Sequence, residues 1–167
     1  MRKLFLITSV VFLVLVGSLQ LFIFINRPVS ADELRIRAAV LPPLRLTTLD
    51  GKPYSPADKL PVVLIYFNTT CDHCQRQVEV MRRERELFAG IPVVLISSQP
   101  EDDVREFAAK ADLVESKFII THVQQEEVAE RFGVLAMPQI FVYDADRNLA
   151  GLFSGETSPA KIRSAIP

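Results

Sequence analysis

Three kinds of apolar pattern succeed one another along the chain, and each predicts a different element. Residues 4–25 (LFLITSVVFLVLVGSLQLFIFI) carry no charged side chain. As a helix rising ~1.5 Å per residue they would extend ~33 Å, against a hydrocarbon core of ~30 Å. Apolar positions lie all round that helix rather than on one stripe, which predicts a membrane anchor over residues 1–26. A cleaved leader ending at Val29-Ser30-Ala31 is the alternative, although the apolar part of a secretory signal is only ~7–15 residues long. Residues 27–43 then read as a linker: Arg27-Pro28 breaks the helix, a mixed-charge stretch follows, and Pro42-Pro43 stiffens its end.

From residue 44 to residue 167 the pattern is that of one folded domain. Leu44 to Leu49 alternates and meets the turn Asp50-Gly51, which predicts a short strand entering a bend. The runs 62–67 (VVLIYF) and 92–97 (PVVLIS) are continuously apolar and β-branched, as in strands covered on both faces. Between them, residues 71–89 put Val78, Met81 and Phe88 on one helical stripe, closed by Gly90. Helices are predicted over 101–111, after Pro100, and over 125–132, before Gly133, with a short apolar segment at 118–120. A hairpin at 140–153 turns through residues 144–148, and a last helix at 158–166 starts with Ser158 and Pro159. Alternating strands and helices of this kind predict an α/β sandwich around a mixed sheet.

Charge narrows the function classes. The net charge is −1 with acidic and basic residues interspersed, so no basic stripe marks a nucleic-acid surface. The chain has 2 cysteines, three positions apart in Cys71-Asp72-His73-Cys74, at the head of a predicted helix. Neither is committed to a structural bridge elsewhere. Thiols at this spacing on a first turn can close into a disulfide, and the first sits where backbone N–H groups and the helix dipole favour a thiolate. Disulfide exchange needs one accessible, partly ionised thiol and a second to resolve the mixed disulfide; Cys71 suits the first role and Cys74, one turn further in, the second. A closed zinc site would need four ligands, and no second Cys pair supplies them, so no metal or other cofactor is expected. A redox pair of this kind fits an oxidising compartment. With the anchor, it places the domain on the periplasmic or extracytoplasmic face of the cytoplasmic (inner) membrane.

Several segments in order resemble the thioredoxin superfamily, specifically its membrane-anchored TlpA/ResA-type redoxin branch. They are Leu44…Asp50-Gly51-Lys52, Tyr66-Phe67-Asn68-Thr69-Thr70-Cys71-Asp72-His73-Cys74, Ile96-Ser97-Ser98, and Arg131-Phe132-Gly133-Val134…Met137-Pro138-Gln139-Ile140-Phe141-Val142. The resemblance implies a thioredoxin-like α/β fold, a central mixed sheet flanked by helices, following the N-terminal transmembrane helix. It also implies a cis proline at Pro138 standing against the redox pair, and a Met137 backbone that pairs with an extended substrate segment. Three positions depart from the family pattern: Thr70 stands where Trp is usual, Ile65 where thioredoxins bury an Asp, and Gln77 where ResA-like members carry a Glu.

The implied activity is a membrane-tethered thiol–disulfide oxidoreductase working on exported protein thiols and disulfides, in the reducing direction, reset by a membrane or exported redox partner. Asp72 and His73 are the tuning residues: a His73 cation stabilises a Cys71 thiolate, whereas the Asp72 carboxylate opposes it. A disulfide oxidase or isomerase using the same residues, a copper-handling protein of the same fold and a peroxidase using Cys71 alone are the competing readings.

Overall fold

The computed structural model describes every residue except 1, 26, 28, 114–116 and 134, and only the helical backbone of residues 2–10 and 25. Asn26 at the end of the expected anchor, Pro28 of the expected linker and Val134 of the family-like motif therefore lie outside the described residues. The expected transmembrane anchor, and the inner-membrane placement built on it, must be corrected. Helix α1 spans Arg2–Ile25, but among the described residues no helix is long and apolar enough to cross a membrane.

The expected linker contains a short helix, α2 (Ala31–Arg37). The Ser30 hydroxyl caps it by accepting from Glu33 N at 3.2 Å, acidic residues occupy its first turn and Arg35 and Arg37 its last. Leu34, Ala38 and Leu41 are buried. The chain beyond α2 is held to the far hairpin by Leu41 N to Arg147 O (2.8 Å) and Leu149 N to Ala39 O (2.9 Å).

Among the described residues seven strands form one sheet: β1 (Leu46–Thr48), β2 (Pro53–Tyr54), β3 (Val62–Tyr66), β4 (Val93–Ser97), β5 (Ile119–His122), β6 (Gln139–Tyr143) and β7 (Leu149–Ser154). Their order is β2-β1-β5-β4-β3-β6-β7. The β3–β4 and β4–β5 pairs are parallel, and the β3–β6, β6–β7, β1–β5 and β1–β2 pairs antiparallel, so the sheet is mixed as expected. Every residue of β3, β4 and β6 is buried, because helices cover both faces.

Side chains alternate between those faces. On one, Val63, Ile65, Leu95 and Ile140 pack with Cys74, Val78 and Met81 of α3 (Asp72–Arg83), Val104 and Ala108 of α4 (Glu101–Lys110), and Ile162 of α6 (Pro159–Ser164). On the other, Val62, Leu64, Val94 and Phe141 pack with Leu34, Leu41 and the Val128 and Phe132 of α5 (Gln125–Phe132). Helix α3 is shorter than the expected 71–89. It ends at Arg83, and a 3-10 turn over Arg85–Phe88 brings Phe88 into the first core. Gly151 of β7 is required by packing: a Cβ there would lie 2.8 Å from Ala165 Cβ just past α6, below normal contact.

Candidate active site

The two cysteines stand where β3, β4 and α3 converge. Past the end of β3, Phe67 N still donates to Ile96 O at 2.9 Å, holding the chain to β4 before it turns. Asn68 makes the turn: its Oδ1 accepts Thr70 N at 2.8 Å and the Thr70 hydroxyl at 2.7 Å, an Asx-type closure. The buried Thr69 peptide is gripped from both sides, with its N–H donating to Gln99 Oε1 at 2.5 Å and its carbonyl accepting Gln75 Nε2 at 2.7 Å.

Cys71 is then the N-cap residue of α3, with extended backbone (φ −90°, ψ 115°). Its Sγ accepts Cys74 N at 3.4 Å, so the sulfur occupies the place where a helix N-terminus receives negative charge. Cys71 is partly exposed and Cys74 fully buried; both are free thiols. Burial pushes the Cys74 thiol up to about 12, the neighbouring Cys71 adding to this and the Asn68 N–H, 3.5 Å from Cys74 Sγ, opposing it. Ile65, where an Asp would stand in a thioredoxin, is wholly buried in the same core as Cys74.

The inter-cysteine residues point outward. Asp72 is exposed in the first turn. His73 Nδ1 lies 2.5 Å from Glu156 Oε1, and the same oxygen accepts Arg76 Nη2 at 2.8 Å and Arg76 Nε at 3.0 Å. Arg76 Nη2 also lies 2.9 Å from His73 Nδ1, so the three side chains form one cluster. Arg76 first, and His73 second, hold the Glu156 carboxyl down at about 2.

The Met137-Pro138 peptide is cis. Pro138 is buried, and Met137 is half-buried between the two cores. Pro138 O accepts Gly155 N at 2.8 Å.

Residues 38–151 match the model of the AhpC/TSA family. The chain belongs to that family. No curated protein matches it. Among solved structures, this AhpC/TSA-family chain is similar to a thio-disulfide isomerase from Thermus thermophilus, at 28% identity and a TM-score of 0.62 over 77% of this chain and 92% of that one. It is also similar to a secreted disulfide oxidoreductase of Mycobacterium tuberculosis homologous to E. coli DsbE, at 18% identity and a TM-score of 0.60 over 81% and 97%. StoA from Bacillus subtilis aligns at 15% identity with a TM-score of 0.62 over 76% and 98%. The thioredoxin-like redoxin fold is common to all of them.

Within this redoxin the structure gives Gln77, which the sequence marks only as a departure from the family pattern, its partners. Gln77, buried on α3, takes Thr157 N on its Oε1 at 2.7 Å and donates Nε2 to Thr157 O at 3.0 Å. Its amide is committed to a backbone, where a carboxylate could not have donated. Gln75, Gln99 and Glu156 carry no signal in the sequence, since polar residues on helices and loops are usually solvated. His122 ends β5 beside Arg45, Gln124 and Glu126, in a cleft that shares no residue with the Cys71 site. A groove on the α4 side of the cysteines is lined by Thr69, Thr70, Gln75, Asp103 and Phe107. Among the described residues no group of three or more His, Cys, Asp or Glu is placed to hold a metal.

Proposed function

We propose that this redoxin, an enzyme of the thiol–disulfide oxidoreductase class, reduces protein disulfides with Cys71 as nucleophile and Cys74 as resolving thiol. The supporting observation is the asymmetry of the pair. Cys71 is accessible and its sulfur lies on the α3 N-terminus, whereas Cys74 is buried and its proton is held tightly.

The Cys71 thiolate attacks one sulfur of a substrate disulfide, forming a mixed disulfide and releasing the other sulfur as a thiolate that takes up a proton. Cys74 then gives up its proton and attacks Cys71 Sγ. The Cys71–Cys74 disulfide forms, the second substrate thiol leaves, and two electrons have passed to the substrate. A dithiol partner must reset the pair. No carboxylate stands at position 65 to receive the Cys74 proton, so water or the expelled substrate thiolate takes it. Met137 offers backbone for pairing with an extended substrate segment beside Pro138, and Asp72 and His73 tune the thiolate.

The burial of Cys74 supports the proposed reducing direction. An oxidising pair is one whose reduced form is stabilised as a thiolate, and here burial works against ionisation of the second thiol. The test is the reduction potential of the full chain against dithiothreitol and glutathione buffers. A value near or below about −250 mV, towards thioredoxin, supports a reductase. A value near about −120 to −180 mV would replace it by an oxidase or isomerase, the reading favoured by the thio-disulfide isomerase likeness. Cys74→Ser should trap mixed disulfides with protein partners, and the absence of any trapped species would sink the exchange mechanism.

A further inference from the structure

Three consecutive residues between β7 and α6 touch three separate parts of the site. Gly155 N donates to Pro138 O at 2.8 Å, Glu156 Oε1 accepts from His73 and Arg76, and Thr157 pairs with Gln77 through both its N–H and its carbonyl. Gly155 has φ +78°, a conformation L side chains rarely adopt, and it lets the chain leave β7 sharply enough to bring Glu156 over the first turns of α3. Two of those contacts join backbone to neutral groups. The Glu156 contact alone is charged.

We propose that Glu156 is a positioning residue that fixes the directions of His73 and Arg76 at the head of α3 and offsets the Arg76 charge, keeping the Cys71–Cys74 pair reducing. The proposal deepens the reductase reading of the site and rests on it. Its chemistry is simple. A cation near Cys71 stabilises the thiolate, hence the reduced pair, and makes the disulfide a stronger oxidant. Arg76 is the cation on this end of α3, with His73 beside it at 2.9 Å, and it already senses both Asp72 and Cys71. A carboxylate taking both on one oxygen fixes their direction. The charged groups in contact with His73 are Arg76 of α3 and Glu156, which the β7–α6 loop contributes; Asp72 precedes it on the same first turn. The Asn68–Thr70 and Met137–Pro138 segments add no charged side chain. As His73 is 67% exposed and Arg76 53%, the effect will be modest.

The experiment uses the full chain and glutathione redox buffers, in which two glutathione thiols are oxidised for each Cys71–Cys74 bond reduced. Glu156→Gln should make the disulfide more oxidising by about threefold in that equilibrium constant, the scale of exposed pairs. This is ~14 mV where tenfold is ~30 mV. The midpoint of Cys71 alkylation against pH should move down in step. Both shifts should shrink in ~1 M salt, where the screening length is ~3 Å. Arg76→Ala, which touches no buried group, should move the constant the other way. Gln77→Ala loosens the same loop without changing charge. If it reproduces the Glu156→Gln shift, the loop acts mechanically and the proposal is overturned. An unchanged constant in Glu156→Gln overturns it too, as does an undiminished shift when His73 and Arg76 are both Ala. A wild-type chain that forms no reversible disulfide would instead bring down the reading of the site itself.

Discussion

Gln77 and Thr157 exchange two hydrogen bonds, Thr157 N–H to Gln77 Oε1 at 2.7 Å and Gln77 Nε2–H to Thr157 O at 3.0 Å. The buried face of the cysteine helix is thereby tied to the loop after β7, 80 residues away in sequence. Gln77→Ala leaves a donor and an acceptor without partners at a buried place, and should destabilise the protein by about 1–3 kcal/mol. Gln77→Glu should do no better, since a carboxylate receives the Thr157 N–H but repels its carbonyl. The midpoint of urea unfolding, at unchanged slope, measures both.

Alkaline pH should reveal the buried thiol. The folded-state value of Cys74 is raised from 9.0 to about 12, so in that window the native state keeps a proton that the unfolded chain releases. The unfolded state then binds fewer protons and stability falls as pH rises. The loss begins near the unfolded value and is complete near the folded one. Burial also raises Tyr66 and Tyr143 above their usual 10.0, adding slope at higher pH. The thiol is therefore isolated between about pH 9 and pH 10, below the ordinary tyrosine range. There, under reducing conditions, the wild type should lose stability with pH and Cys74→Ala should not. Equal slopes in the two proteins would contradict the assignment.

The Thr69 peptide, held by Gln99 on one side and Gln75 on the other, sets where the chain enters Cys71. Gln99→Ala removes the acceptor of a buried N–H, and amide exchange at Thr69 should accelerate by tenfold or so, about 1.4 kcal/mol of local opening. Exchange in the centre of β3 should stay as it was, since its partners on β4 and β6 are untouched.

Leu41 is 2% exposed and packs in the second core with Leu34 and Leu64. Leu41→Ala should cost about 2–5 kcal/mol. A chain beginning at Leu44 should likewise unfold at lower urea than one beginning at Ser30, because Leu34, Ala38 and Leu41 leave with the removed segment. Equal unfolding midpoints for the two chains would show that the α2 contacts contribute nothing.

Parts of the fold and site were legible where the information is local. Val62 to Tyr66, Val93 to Ser97 and Ile140 to Tyr143 read as buried strands because a fully covered strand needs apolar side chains on both faces. The Cys71–Cys74 spacing is a property of one helical turn, and the N-cap position of Cys71 followed from its place after β3. The cis Met137-Pro138 bond was implied by the family-like segment around it rather than by the dipeptide, for X-Pro bonds are mostly trans. The expectation for residues 4–25 failed because uncharged length was read as a crossing, whereas the helix has no described span that is long and apolar enough. Helix α2 was hidden by its composition: a short charged stretch between prolines looks solvated until a core is present to receive Leu34.

By itself, then, the sequence determined the alternation of strands and helices, the buried strands of the sheet and the placing of Cys71 and Cys74 one helical turn apart. Each depends on side-chain period or on neighbours within a single turn. The tertiary structure alone decided which groups surround those thiols: Gln99 and Gln75 at Thr69, and the Gly155–Thr157 segment at Pro138, His73, Arg76 and Gln77. Those partners are polar residues far apart in the chain, and no periodicity links them. They meet because the β3–β6–β7 register places the end of β7 beside α3, and a buried hydrogen-bonding group takes its partner from whatever the packing brings within about 3 Å.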